Sequence, residues 1–218
     1  MIKTVIFDMD GVIVDTEPVH SYAFHQHFKN LGIDVSDAVY ATLLGKSTKN
    51  VYQSLKEKFH LDADIQTLIN QKRAIFNDAF DHKPDLFLID GVEDLIKDLY
   101  SKGMQLIVAS SSSKQTIDRV FKRFNLYQYF TDVVSGEDFP KSKPDPEIFL
   151  HAAALSKAPK DNCIVIEDSS NGVKAAKAAG IFCIGYDSVH SKMQDLSEAD
   201  VVIREFSELN FEKIKNLK

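Results

Sequence analysis

Five short runs of this chain are apolar almost without interruption, and each stops at polar residues or glycine. They are KTVIFD (3–8), MQLIVAS (104–110), DVVSG (132–136), CIVIED (163–168) and IFCIGYD (181–187); a weaker one, ADVVI, lies at 199–203. A strand with one wet face alternates apolar and polar residues, whereas a strand covered on both faces does not. The runs are therefore expected to form a parallel sheet sandwiched between helices. Helical patterns fill the intervals. Val92, Leu95, Ile96 and Leu99 share one helix face ahead of Gly103, and Ile117, Val120, Phe121 and Phe124 share another. NGVKAAKAAG reads as a short helix ending at Gly180. Strand and helix in alternation predict an α/β, doubly wound, Rossmann-like core.

Residues 16–83 break the alternation. Segments such as EPVHSYAFHQHFKNLG and TLINQKRAIFNDAF read as helix after helix with no strand between. The expected organisation is a core of residues 1–15 and 84–218 with a helical bundle, residues 16–83, inserted after the first strand. The final FEKIKNLK reads as a solvated helix end.

Composition narrows the classes of function. The 218 residues are 44% hydrophobic and 27% charged, with a net charge of −6. An acidic chain is poorly suited to grip nucleic acid through its phosphates. No apolar run approaches the roughly 20 residues that span a bilayer. The opening MIKTVIFD meets an aspartate too soon for a secretory signal. Cys163 and Cys183, each inside an apolar run, read as buried strand thiols. A cytoplasmic monomer without a membrane or nucleic-acid partner is expected.

The chemistry-bearing residues cluster at the ends of the apolar runs. Asp8 and Asp10 close the first, where doubly wound folds bind ligands; Asp-x-Asp-Gly by itself also suits a turn and helix cap. Glu167 and Asp168 close another. Two pairs of acids repel unless a cation joins them, and an oxygen-donor site that leaves room for water and phosphate suits Mg2+. Ser110, followed by Ser111, ends a third run and offers hydroxyl and turn donors for phosphate oxygens, although a serine run equally makes a flexible loop. Lys143 precedes Pro144 and Pro146, which can aim its ammonium inward or leave it in a solvated turn. Taken in order, these pieces could assemble a nucleophile, a phosphate clamp and a metal site.

DMDGV, VASSS, KPDP and IEDSSNG resemble the four ordered motifs of the haloacid dehalogenase superfamily, over essentially the whole chain. The resemblance implies that Asp8 is the nucleophile and forms an aspartyl phosphate. It implies that Asp10 is the general acid and then the base, and that Ser110 and Lys143 hold the phosphoryl group. Asp168, Asp8 and the Asp10 carbonyl would ligate Mg2+, with Glu167 helping directly or through water. An acid at Asp10 points to phosphoryl transfer rather than dehalogenation.

The insertion resembles the small helical cap of the beta-phosphoglucomutase-like subgroup. DTEPVH is similar to the cap entry, which implies that His20 couples to Asp10. Lys72 matches a cap lysine that meets substrate, and Gly45, Lys46 and Ser47 match a specificity loop. The mutases carry an arginine after that loop's Gly-x-Ser, where this chain has Thr48, and a lysine supplies no bidentate fork. The expected activity is therefore Mg2+-dependent hydrolysis of a small phosphomonoester, foremost a sugar phosphate. Beta-phosphoglucomutase action is the alternative. A phospho-acceptor signalling module fits less well, because it lacks a helical insertion after strand one.

Overall fold

The computed structural model describes residues 1–43, 46–188 and 194–217. Strand β1 (Thr4–Phe7) is followed by four helices, α1 (Glu17–Leu31), α2 (Asp37–Ala41), α3 (Thr48–Phe59) and α4 (Ile65–His82). The alternation then begins: α5 (Val92–Ser101), β2 (Gln105–Ser110), α6 (Lys114–Arg123), β3 (Asp132–Ser135), α7 (Glu147–Leu155) and β4 (Cys163–Glu167). It closes with α8 (Ser170–Ala178), β5 (Phe182–Tyr186), β6 (Val201–Ile203) and α9 (Phe211–Lys215). The strands form one parallel sheet in the order β3-β2-β1-β4-β5-β6.

Chain order reverses between β2-β1 and β4, so the crevice beyond the ends of these strands is the topological switch point of the sheet. β1 and β4 are buried along their whole length, which is why their sequences show no alternation. Ile6, Ile107, Ala109, Val165 and Cys183 pack one face against Ile148, Phe149 and Ala152 of α7 and Val173 and Ala176 of α8. On the other face Phe7 meets Phe130 edge-on at 5.7 Å, and Phe130 meets Phe121 of α6 at 5.2 Å. The outer strands are less covered: Val133 of β3 and Val201 and Val202 of β6 are exposed. Phe124, read as part of the α6 face, lies one residue past the helix end and is only half-buried.

The chain divides into two compact units, Met1–Asp15 with Phe87–Lys218, and Thr16–Leu86. The helical unit has its own core, in which Phe24 and Phe28 of α1, Val51, Tyr52 and Leu55 of α3, and Leu68 and Ile69 of α4 pack together. Three of its four helices, α2, α3 and α4, are capped at their starts by side chains. Ser36, Ser47 and Asp64 accept from the backbone N–H of Val39, Asn50 and Thr67. Among the described residues no helix is long and apolar enough to cross a membrane.

The last helix corrects the reading of FEKIKNLK as a solvated end. Ile214 of α9 is fully buried, while charged neighbours on the same helix face water. The Phe211 N–H also donates to Asp98 of α5 at 2.8 Å. A short helix with a single apolar anchor leaves little periodicity to read. Ile214→Ala should therefore destabilise the protein by about 2–5 kcal/mol, measured by urea unfolding. A loss within error of zero would place Ile214 outside the core.

Candidate active site

β1 lies between β2 and β4, with Phe7 in register with Val108 on one side and Ile166 on the other. One residue further along, Asp8, Ala109 and Glu167 therefore reach the same level at the strand ends. Lys143, from the segment between β3 and α7, enters there. Its Nζ donates to Asp8 Oδ1 at 2.6 Å, to Glu167 Oε1 at 2.8 Å and to the Ala109 carbonyl at 3.1 Å. An ammonium has three protons, and all three are used. The Phe149 ring lies 4.6 Å from Nζ and adds its π face. Lys143 and Asp8 are each 6% exposed and Glu167 is 1% exposed.

Glu167 is held on its other side as well. Its Oε2 accepts from the Ser169 backbone N–H at 2.8 Å and from the Ser169 hydroxyl at 3.0 Å. Its carboxylate occupies the space above Gly172, where an added Cβ would lie 1.7 Å from Oε1. Asp168 makes a similar demand on Gly11: a Cβ there would lie 2.1 Å from Asp168 Oδ2, and the φ of Gly11 is +83°. Asp10 is held from β2, where Ser110 Oγ and Ser112 Oγ donate to its Oδ2 at 3.2 Å and 2.7 Å.

Burial pushes the Asp8 carboxyl up to about 8; Lys143 pulls it back, and Glu167 and Asp10 add to the rise. Asp168 is raised well above the usual carboxylate value by burial and then by Glu167 and Asp8. For Lys143, burial opposes the charge, but Asp8 and Glu167 together hold it above the ordinary lysine range. Lys143 thus serves two buried acids, Asp8 and Glu167, with Asp10 and Asp168 within electrostatic reach.

Residues 5–186 match the model of the haloacid dehalogenase-like hydrolase family. The chain belongs to this family. The hydrolase is 30% identical over 193 residues to the phosphorylated carbohydrates phosphatase of Thermotoga maritima, covering 87% of this chain and 86% of that one. It is also 30% identical over 215 residues to the beta-phosphoglucomutase of Bacillus subtilis, covering 96% and 92%. Its fold is similar to that of CbbY from Rhodobacter sphaeroides, solved in complex with phosphate. The TM-score is 0.88, with 27% identity and full coverage of both chains.

The structure brings the residues predicted at the strand ends together as two adjacent hydrogen-bonded groups, Lys143 with Asp8 and Glu167, and Asp10 with Ser110, with Asp168 packed over Gly11. Ser111 is exposed, and its neighbour Ser112 contacts Asp10 instead. The sequence reading missed Ser112 because four consecutive serines look alike until the turn decides which hydroxyl faces inward. It missed Ser169 and Gly172 as well, although both lie within IEDSSNG. In the helical unit Lys72 is 3% exposed. Its Nζ lies 2.6 Å from His20 Nδ1 and 4.4 Å from the centroid of the Phe24 ring, and His20 stacks on Phe76. Ser47 serves as the α3 cap, Lys46 is exposed, and Gly45 lies outside the described residues.

The donor set fits Mg2+. Among the described residues no group of three or more His, Cys, Asp or Glu side chains is arranged to hold a metal ion, but this ion binds through one or two carboxylates and completes its shell with water and phosphate. The gathered carboxylates are the oxygen donors such an ion takes. In EDTA these carboxylates should shape stability. A raised carboxyl binds more protons folded than unfolded, so Asp8 stabilises fully below about pH 4 and loses that contribution as pH rises toward about 8. Asp8→Asn should make this fall shallower in urea titrations across that range. An unchanged slope would show that Asp8 is not the raised group.

Proposed function

We propose that this hydrolase is a Mg2+-dependent phosphatase of small phosphorylated metabolites, foremost sugar phosphates, acting through an aspartyl phosphate on Asp8. The observation that carries the reading is Lys143, whose ammonium joins Asp8 to Glu167 beside an Asp10 held by serine hydroxyls. A carboxylate approaching a phosphate dianion meets repulsion, and preorganised positive charge is the main way to lower that barrier. Lys143 and the Ser110 hydroxyl would hold the transferring phosphoryl group. Asp8 attacks phosphorus as the ester bond breaks, and Asp10 protonates the departing oxygen. In the second half Asp10 takes a proton from water as that water releases phosphate from Asp8.

The superfamily generally uses Mg2+. Asp8, Asp168 and the Asp10 carbonyl would hold it, because both oxygens of Glu167 are already engaged by Lys143 and Ser169. The ion would supply positive charge at the phosphoryl oxygens. We assign the helical unit to substrate choice, with the buried Lys72–His20 pair as its polar centre.

The similarity to a beta-phosphoglucomutase favours a second reading, transfer within a sugar through a bisphosphate. Hydrolysis takes precedence because the sequence at the α3 entry has no arginine to grip a second phosphate with two parallel bonds, and among the described residues it presents the exposed lysines Lys46 and Lys49. A phosphate-release screen over sugar phosphates, run beside conversion of beta-glucose 1-phosphate to glucose 6-phosphate, separates the two. Phosphate release without isomerisation is expected. It should vanish in EDTA, return with Mg2+, and fall at least 1,000-fold in Asp8→Asn, the order reported for removal of a catalytic nucleophile. Release that survives Asp8→Asn would overturn the nucleophile, and isomerisation without net release would establish the mutase.

A further inference from the structure

We infer that Ser112 is the positioning residue for Asp10. The inference rests on the acid/base reading of Asp10 proposed above. Two hydroxyls donate to the same oxygen, Asp10 Oδ2: Ser110 at 3.2 Å and Ser112 at 2.7 Å. A hydroxyl carries one proton. When Ser110 donates to a phosphoryl oxygen it can no longer donate to Asp10, and Ser112, with the shorter bond, keeps the carboxyl oriented.

The surroundings of Ser112 hold it for this task. Its N–H donates to Ser110 Oγ at 3.0 Å, which leaves the Ser110 proton able to turn toward phosphate. Its carbonyl accepts from the buried Ser135 hydroxyl of β3 at 2.7 Å. Ser135 Oγ in turn accepts from the Glu137 N–H at 3.2 Å. Glu137 Oε2 accepts from the Lys114 N–H at the start of α6 at 3.1 Å. The loop after β3 approaches so closely that a Cβ on Gly136 would lie 3.0 Å from Ser111 Cα. The serine turn is therefore held along its length by β3 and the loop after it, which fixes Ser112.

Orientation matters most where the proton matters most. As the Asp8–phosphorus bond forms, the ester P–O bond breaks and its electron pair goes to the leaving oxygen, which takes the Asp10 proton. An alkoxide leaves poorly without that proton, whereas a nitrophenolate does not need it. Loss of orientation should therefore cost rate selectively.

The test compares kcat and KM for glucose 6-phosphate and p-nitrophenyl phosphate in the wild-type enzyme, Ser112→Ala, Ser112→Thr and Asp10→Asn. Ser112→Ala should lower kcat on the sugar phosphate by about 10-fold to 100-fold, change its KM little, and leave the aryl phosphate within a factor of about three. Ser112→Thr, which retains the hydroxyl, should recover most of the loss. Ser112→Gly gives the same reading if alanine does not fold. Equal losses on both substrates, or no recovery with threonine, would reduce Ser112 to a structural residue and overturn the inference. A selective loss in Asp10→Asn without one in Ser112→Ala would overturn Ser112 alone. A non-selective Asp10→Asn would overturn the acid reading and the inference with it.

Discussion

One ammonium holds the ends of three neighbouring strands. Lys143 donates to Asp8 after β1, to the Ala109 carbonyl in β2 and to Glu167 at the end of β4. The parallel register makes this possible, because it brings the three acceptors level. A buried cation costs several kcal/mol in desolvation unless its protons are fully engaged, and here every proton has an acceptor. The cost of removal is asymmetric. Without Lys143, two carboxylates and a carbonyl would face one another in a dry crevice. The arrangement is thus a condition for folding the strand ends together as well as a charge available to chemistry.

Glycine sets how closely the acids can gather. Gly172, at the first turn of α8, yields its side-chain space to Glu167, and Gly11 yields its own to Asp168. Any Cβ at these positions would push a carboxylate out of the crevice. Close acids in turn need neighbours that accept little charge and give many donors. Ser169 and the serine turn after β2 provide them, with hydroxyl and backbone N–H groups directed at Glu167 and Asp10.

The parts most legible in the sequence are those under one dominant constraint. The buried strands of the sheet had to be apolar on both faces, so their runs could be read directly. β6 gave a weak signal because two of its three residues are exposed at the sheet edge. Acids at strand ends were legible because the fold itself gathers strand ends. What was not legible depends on side chains choosing between near-equivalent partners. Which serine faces Asp10 is settled by a turn held from β3, more than twenty residues away. Lysine is ordinarily a surface residue, and the rings of Phe24, Phe76 and His20, from two different helices, accommodate a buried Lys72. Ile214 was hidden by its charged neighbours.

A buried ion network alone is weak support for a catalytic site, since such networks also serve structure. The balance of charge argues further. A structural network tends toward neutrality, because uncompensated buried charge destabilises the fold. Here Lys143 pairs with Asp8 and Glu167, and Asp10 and Asp168 lie within electrostatic reach of them. Asp8 and Asp168 are both raised above the normal carboxylate range, first by burial and then by their acidic neighbours. Selection for stability would favour replacing one of these acids by an amide or a hydroxyl. Their joint presence at the switch point of the sheet accords with an enzyme of this family, whose members act on phosphate esters. The Mg2+ of the proposed reaction would bring positive charge to this cluster, and the gathered acids are thus the feature that joins fold to proposed activity.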